Sequence, residues 1–471
     1  MSPALRSWIV FFHRWTGFPV GVGLFVLFAS GALVTFNLEL QQWMQPQTAL
    51  LAPETTNGLT HAEKLLLPEG KKHETTSSFL RLPFNRDPVF RLWQYDGYFF
   101  HGPALHPETG QPLPTRDVVG SSFFNTLHAY FFLPNLWGRS LVSLLGVTLL
   151  IPLITGVMLH WRRFLSDLML FRPHASSHRS WLDLHLLIGT LTLPLVFIIG
   201  LSGGILQIQN ILNSLPPSPV HLSFPPTNTA PLSSKSLSAL EAQGKHVWGD
   251  TAGGFFMPIG NDIYLYRPDQ ATFCITRAHI STTHPVPPTL PYCPDFHSLL
   301  TGIHLMRWAG PTMRWLYFGL GIVGAFLMAS GLILFYKTEC RQVKGRSPNN
   351  SLGLRVIYAF NTATIIGFSI ATLGLLWSTR LPALPVLPPR SWETALFFAL
   401  WAGSLVHALC FRNAARCQLL LLCIMGMGLL PIDLLTRPLV TDRPLLFLSV
   451  DGCGGTVGLL SLFAYRRSRL S

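Results

Sequence analysis

Seventeen histidines occur in this 471-residue sequence, and five of them are placed where they could do chemistry. His13 and His185 are each followed by a glycine four residues on (Gly17, Gly189) and by a Ser-Gly pair whose glycine lies eighteen residues on (Gly31, Gly203). Leu127-His128 is echoed by Ile303-His304, and Thr155-Gly156-Val157 by Ser330-Gly331-Leu332. The separations of 172, 176 and 175 residues mark an internal repeat within residues 1–336. His160 is the fifth; its repeat counterpart is Phe335, so the symmetry is broken there.

The elements that must position these residues are helices in a bilayer. Hydrophobic residues make up 49% of the chain and charged residues 12%, about half the charged fraction of a soluble domain. Stretches long and apolar enough to span occur near 16–38, 140–160, 182–207, 316–336, 356–377, 394–411, 418–435 and 444–465. Pro431, Asp433 and Pro444 crowd the junction of the last two. The first stretch lacks a small-residue cleavage site and reads as a retained helix.

Eighteen helical residues span about 27 Å, nearly the hydrocarbon thickness. His13 and His185 therefore belong at the inner ends of their helices, with Gly31 and Gly203 near the outer ends. His160 closes the second helix on the inner side, while His128 and His304 precede helices two and four on the outer side. Three histidines thus gather near the inner leaflet and two near the outer.

Ionisable residues at membrane depth are costly and tend to be functional. Histidines from facing helices are standard axial ligands of non-covalent haem, and two such sites would make an electron path across the bilayer. Glycines a helix length away would let a flat macrocycle approach the backbone. A single interfacial histidine more often anchors or hydrogen-bonds; five at matched repeat positions shift the balance to ligands. Zinc fits less well, since no acidic or Cys partners accompany them. His407, alone on a later helix, reads as structural. His61, His101, His106, His279, His284 and His297 fall in outer loops and read mostly as surface residues.

Charge sets the orientation. Sixteen of the 34 Lys and Arg residues fall in the short loops and ends of one side against three acidic residues, so that face carries the whole net charge of +13. By the positive-inside rule it is cytoplasmic, and both termini lie there. The basic character therefore calls for no nucleic acid. The arginines between His160 and Trp181 read as topology signals rather than a docking patch. Two long loops, roughly 39–138 and 209–315, fall outside, and strand-like runs such as Phe90-Arg-Leu-Trp-Gln-Tyr and Asp262-Ile-Tyr-Leu-Tyr predict a small α+β domain in each. Residues 213–235, rich in Pro and Ser, read as a linker. The seven cysteines form no CxxC or CxxCH, against structural zinc and covalent haem. Cys274 and Cys293 share one outer loop and could form a disulfide in an oxidising compartment. No GxGxxG fingerprint in a strand-turn-helix context, no HExxH motif and no recognisable Ser or Cys nucleophile is present.

The expected organisation is a mainly α integral membrane protein of about eight transmembrane helices. It divides into a first helix (1–38), an outer domain (39–138), helices two and three with a basic loop (139–208), a second outer domain (209–315), helix four (316–336) and a C-terminal membrane region of helices five to eight (337–471). The first four helices form the pseudo-repeated haem-binding core.

These motifs also resemble a known family. His13-Arg-Trp-Thr-Gly17 with Ser30-Gly31-Ala32-Leu33, the run from Thr155 through His160-Trp-Arg-Arg-Phe164, then Phe171-Arg-Pro173, Ser180-Trp-Leu-Asp-Leu-His185 and Leu193-Pro194, are similar to PepSY-associated transmembrane proteins. Leu105-His-Pro-Glu-Thr-Gly110 resembles the turn closing a PepSY domain. The likeness covers residues 1–336 and extends loosely to Arg380-Leu-Pro382 and Glu393 through Trp401. It implies an iron-regulated bacterial inner-membrane protein, with PepSY-like character in both outer domains. Some relatives are haem b reductases of ferric siderophores in the periplasm. Carried over, the family's histidines are His13, His128, His160, His185 and His304. Pseudo-symmetry pairs His128 with His304 at an outer haem; the inner haem would use two of His13, His160 and His185, with His185 favoured as one of them. The implied partners are the lipid bilayer, a ferric siderophore or other ferric chelate, and an electron donor, either a cytoplasmic reductase or quinol. A transporter of siderophore or iron without redox chemistry, or a PepSY-type regulatory protein, are the alternatives.

Overall fold

The computed structural model describes residues 2–51, 57–67, 78–95, 99–161, 172, 176–214, 237–259, 262–267, 279–281, 296–306, 309–342, 351–382, 388–438 and 442–468. Cys274 and Cys293 and nearly all of the 213–235 linker lie outside the described residues.

Among the described residues eight helical segments are long and apolar enough to cross a membrane, matching the expected number: Pro3–Thr35, Asn135–His160, Ser177–Leu212, Pro311–Gln342, Leu352–Arg380, Pro389–Cys410, Ala414–Thr436 and Pro444–Arg467. The first four are α1 (Pro3–Thr35), α5 and α6 (Asn135–Thr148, Leu150–His160), α7 (Ser177–Ser214) and α10 (Pro311–Gln342). Several begin earlier than their apolar cores. The side chain of Ser2 caps α1 by accepting from the Leu5 amide, and Pro3 occupies the first turn, where its missing N–H costs nothing. His13 therefore sits ten residues inside α1, and His185 eight inside α7, rather than at the helix ends. Apolarity marks where lipid begins; capping marks where the helix begins.

These four spans form the core bundle. Helix α1 packs along α10 and α6, while α7 packs along α5 and α10. Val20, Leu24 and Leu27 of α1 meet Leu145, Leu149, Val196 and Leu327 in its apolar interior. The later spans are α11 (Leu352–Thr362), which continues through a π-helical turn at Ala363–Gly367 into α12 (Phe368–Arg380), then α13 (Pro389–Cys410), α14 and α15 (Ala414–Met427, Leu429–Thr436) and α16 (Pro444–Arg467). They pack on the α1 and α10 side, where Phe25, Val26, Ala325 and Ala329 share a core with Phe368, Ile370, Phe397 and Phe447.

A buried charge cluster fastens this second bundle to the first. Arg380 pairs with Asp433, Arg437 reaches Asp433 at 3.4 Å, and the indole of Trp43 donates to Asp451 at 3.1 Å. The Arg380 guanidinium lies 4.6 Å above the Trp43 ring. Trp43 belongs to α2 (Asn37–Met44), a short helix following α1. Removing one member of a buried ion pair strands the other charge, which typically costs about 3–5 kcal/mol. Arg380→Leu is therefore expected to lower thermal stability in detergent strongly, while Arg380→Leu with Asp433→Leu loses much less; equal losses would contradict the pairing.

The two long loops do not build separate sheets. Strands β1 (Ser78–Arg81), β2 (Phe90–Tyr95), β3 (Phe100–His101) and β4 (Ala104–Leu105) come from the first loop, and β5 (Phe255–Ile259), β6 (Asp262–Tyr266) and β7 (His279–Ser281) from the second. They join in one antiparallel sheet of order β3-β2-β1-β5-β6-β7, with β4 also on β2. The seam is β1 against β5, Leu80 opposite Phe256 and Arg81 opposite Phe255. The expectation of a domain in each loop is corrected by this shared sheet: β1 of the first loop and β5 of the second cover each other's edge. Helices α3 (Leu59–Leu66) and α8 (Leu237–Trp248) cover one face, where Leu80, Phe90, Leu92, Phe256, Ile263 and Leu265 are buried.

Candidate site: two facing histidine pairs

Four of the five histidines meet in two pairs, one toward each end of the core bundle. His13 of α1 faces His185 of α7 with ring centres 6.5 Å apart and planes at 76°. His128, on the short helix α4 (Ser122–Tyr130), faces His304 on α9 (Phe296–Leu305) with ring centres 6.1 Å apart and planes at 25°. Two imidazoles binding opposite sides of one metal ion through nitrogens at about 2.0–2.1 Å place their ring centres about 6.3 Å apart. Both separations fit that arrangement, and neither allows a direct hydrogen bond between the rings.

Each ring is held in the same way. His13 Nδ1 lies 3.1 Å from the Thr155 hydroxyl, His185 Nδ1 2.8 Å from that of Ser330, and His304 Nδ1 3.1 Å from that of Ser202. His128 Nδ1 donates to the Leu27 carbonyl at 2.9 Å, with the Ser30 hydroxyl at 3.4 Å. The residue after each hydroxyl is glycine. A Cβ at Gly31 would lie 2.9 Å from His128 Cε1, at Gly203 2.7 Å from His304 Cε1, at Gly156 3.3 Å from His13 Cε1 and at Gly331 3.3 Å from His185 Cε1. Four Ser/Thr-Gly pairs thus cradle four histidines, each from a facing helix. With Nδ1 engaged, Nε2 is the nitrogen left for a ligand, the division of labour usual in metal-binding histidine.

The cradles revise the sequence reading of the glycines. Gly31 and Gly203 make room for imidazole rings rather than for a macrocycle, because they lie under the histidines of the other pair of elements. The four hydroxyls were not singled out from sequence, although the Ser-Gly and Thr-Gly repeats carried the signal. The left-handed residues just beyond the outer histidines had no signal: Phe131, Phe132 and Met306 have φ of 52°, 59° and 48°. Phe131 and Met306 donate to the carbonyls of Leu127 and Gly302, turning the chain sharply after α4 and α9. Such conformations cost energy in residues with a side chain and persist where the surroundings demand them.

Both outer histidines are half-buried, and the loss of water around them disfavours their charged forms. Burial lowers the His128 pKa from its ordinary value. Burial, then the charge on His128, pushes His304 down to about 4. Both are therefore neutral at pH 7, with a lone pair available on Nε2.

His160 ends α6 one turn beyond Gly156, close enough to His13 and His185 for its charge to act on both. The rings of His13 and His185 face each other, and His160 lies beside that pair. Phe335, at the repeat position of His160, stacks on Phe18 with ring centres 4.6 Å apart. His407 lies in the second bundle, 3.3 Å from the Gln418 side chain, as a structural histidine would. Among the described residues no group of three or more His, Cys, Asp or Glu could hold a metal ion.

The sequence pattern of the PepSY-associated TM region matches residues 11–338, the segment that contains both pairs and all four cradles. The chain belongs to this family. Helices α11 to α16 lie beyond the matched segment. A protein of Pseudomonas aeruginosa strain PAO1, PA4219, is 27% identical over 316 residues, covering 58% of this chain and 75% of its own, and is described as uncharacterised. The family membership agrees with a multi-pass membrane protein built on four repeat-related helices, with eight candidate spans among the described residues.

Proposed function

We propose that this protein carries electrons through a bacterial inner membrane by way of two haem b groups and delivers them singly to a ferric chelate on the side of the long loops. His13 and His185 would hold one haem and His128 and His304 the other. The observation carrying this reading is the pairing itself: two bis-imidazole sites of ligand-like separation, oriented through Nδ1, toward opposite ends of one bundle. Each pair offers two nitrogens, which suits a metal whose four other positions are filled by a macrocycle and not a bare ion needing a protein cage. Bound there, haem supplies reversible one-electron exchange between ferrous and ferric iron.

The chain's residues do the rest. Thr155, Ser330 and Ser202 fix ring orientation, while the apolar packing of Val20, Leu24, Leu145 and Leu327 keeps water out of the bundle core. The basic end, with Arg14, Arg172, Arg179 and Arg341, faces the cytoplasm by the positive-inside rule, so electrons enter there. At the other end Fe(III) in the chelate takes one electron and becomes Fe(II), which oxygen donors hold far more weakly, and the metal is released.

Dithionite-reduced protein mixed with a ferric chelate is expected to lose its reduced α-band as Fe(II) appears, one Fe(II) per electron lost, with ferrozine trapping the product. Reduced bands that persist with excess chelate present would overturn the proposal.

A further inference from the structure

The second face of the outer sheet has a composition that the electron path does not explain. While α3 and α8 cover one face, the other carries a continuous aromatic row: Phe100 and Tyr95, Trp93, Phe79, Phe255, then Tyr266 and Tyr264. Neighbouring rings touch throughout, with Phe79 5.7 Å from Trp93, 5.4 Å from Phe100 and 5.5 Å from Phe255, and Phe255 stacked on Tyr266 at 5.0 Å. These rings are half-exposed, and Phe100 is 40% exposed, unlike the buried Leu80, Phe90, Phe256 and Leu265 behind them. Arg81 lies on the same face, its guanidinium 4.8 Å above the Trp93 ring and paired with the buried Asp87 carboxylate.

This face is turned to the bundle end that holds the outer histidines. Tyr95 and Tyr130 bring their hydroxyls within 3.3 Å, Tyr130 being two residues after His128 in α4. Phe99, just before β3, packs on Phe132 at 5.5 Å. Arg91, also on this face, reaches the Gln45 side chain at the end of α2. The row therefore overhangs the site where electrons leave the bundle.

We infer that this aromatic face is the docking platform for the electron acceptor, and that it takes ferric chelates built from aryl groups, phenolate or catecholate, in preference to aliphatic hydroxamates. The inference rests on the proposed function for the acceptor's being a ferric chelate. Planar aryl ligands stack on ring faces and edges, an interaction that aliphatic chelators lack.

The test separates binding from reduction. Gallium(III) replaces iron in the same chelates but accepts no electron, so binding to full-length protein can be read by titration calorimetry whatever the haem content. The Ga(III) tris-catecholate is expected to bind, and the Ga(III) tris-hydroxamate to bind at least roughly tenfold more weakly. Trp93→Ala and Phe100→Ala should each weaken the aryl chelate by roughly tenfold, with Trp93→Phe restoring most of it and all three keeping the parent's unfolding temperature. Equal affinity for both chelates, or aryl binding indifferent to Trp93 and Phe100, would overturn the inference. Chelate reduction intact alongside such a failure would leave the electron-transfer reading standing; aryl binding intact in a protein without haem would do the reverse.

Discussion

Alanine in place of His185 is expected to remove one of two haem equivalents from the purified protein, and alanine in place of His160 to remove none. By sequence position any two of the three inner histidines could serve, with His185 favoured as one, and the facing geometry of His13 and His185 supports that pair. His13 and His185 face each other at 6.5 Å, each anchored on a hydroxyl of a facing helix and seated against the glycine that follows it. His160 follows Gly156 by one turn, and its repeat partner Phe335 sits in an aromatic cluster with Trp15 and Phe18. A ligand shared equally by the repeats would not be replaced by phenylalanine in one copy. Loss of an axial ligand abolishes a bis-imidazole site, so pyridine haemochrome should report half the parent's haem for His185→Ala and for His13→Ala. Ser330→Ala, which frees the His185 ring to rotate, should weaken haem retention by about 10–100-fold without abolishing it. Half the haem in His160→Ala with full haem in His13→Ala would reassign the inner pair.

The second large effect is expected at a glycine. A Cβ at Gly203 would stand 2.7 Å from His304 Cε1, closer than real Cβ contacts, and 3.3 Å from its Nε2. Valine there drives the ring out of its seat while leaving every histidine in the sequence. Gly203→Val should therefore lose the outer haem as completely as His304→Ala does, and with it more than about tenfold of the ferric-chelate reduction rate. Gly17 and Gly319, with nothing within 4 Å of an added Cβ, serve as controls, and alanine at either should leave both haems in place. A Gly203→Val protein with two haems would show that the glycine is not a cradle.

Helix number and the positions of the histidines could be read from the sequence because both follow from hydrophobic length and a long-period repeat. Even the last two spans, interrupted by Pro431, Asp433 and Pro444, form: α14, α15 and α16 bury Asp433 and Asp451 against Arg380 and Trp43 rather than exposing them to lipid. The outer pair was also legible, since His128 and His304 occupy matched places in the two repeats. What stayed hidden depends on contacts between residues far apart in the chain. The Thr155 hydroxyl meets His13 142 residues away, and Ser202 meets His304 across 102. No local pattern tells which face of α6 turns toward α1. The joining of two loops into one sheet was hidden for the same reason, because the Leu80–Phe256 pairing crosses the whole of two transmembrane helices. The left-handed turns at Phe131 and Met306 occur in residue types that give no warning of them.

The angle between ligand planes provides the most direct test of the two-site account. The rings of His13 and His185 stand at 76° and those of His128 and His304 at 25°. Near-perpendicular imidazoles give low-spin ferric haem a highly anisotropic paramagnetic resonance signal with one dominant g value, and near-parallel imidazoles give a rhombic signal. The oxidised protein is therefore predicted to show both signals in equal amounts. His13→Ala should remove only the anisotropic one and His304→Ala only the rhombic one. A purified protein expressed with ample haem that shows neither signal, or a single signal lost on changing a histidine of either pair, would contradict the account.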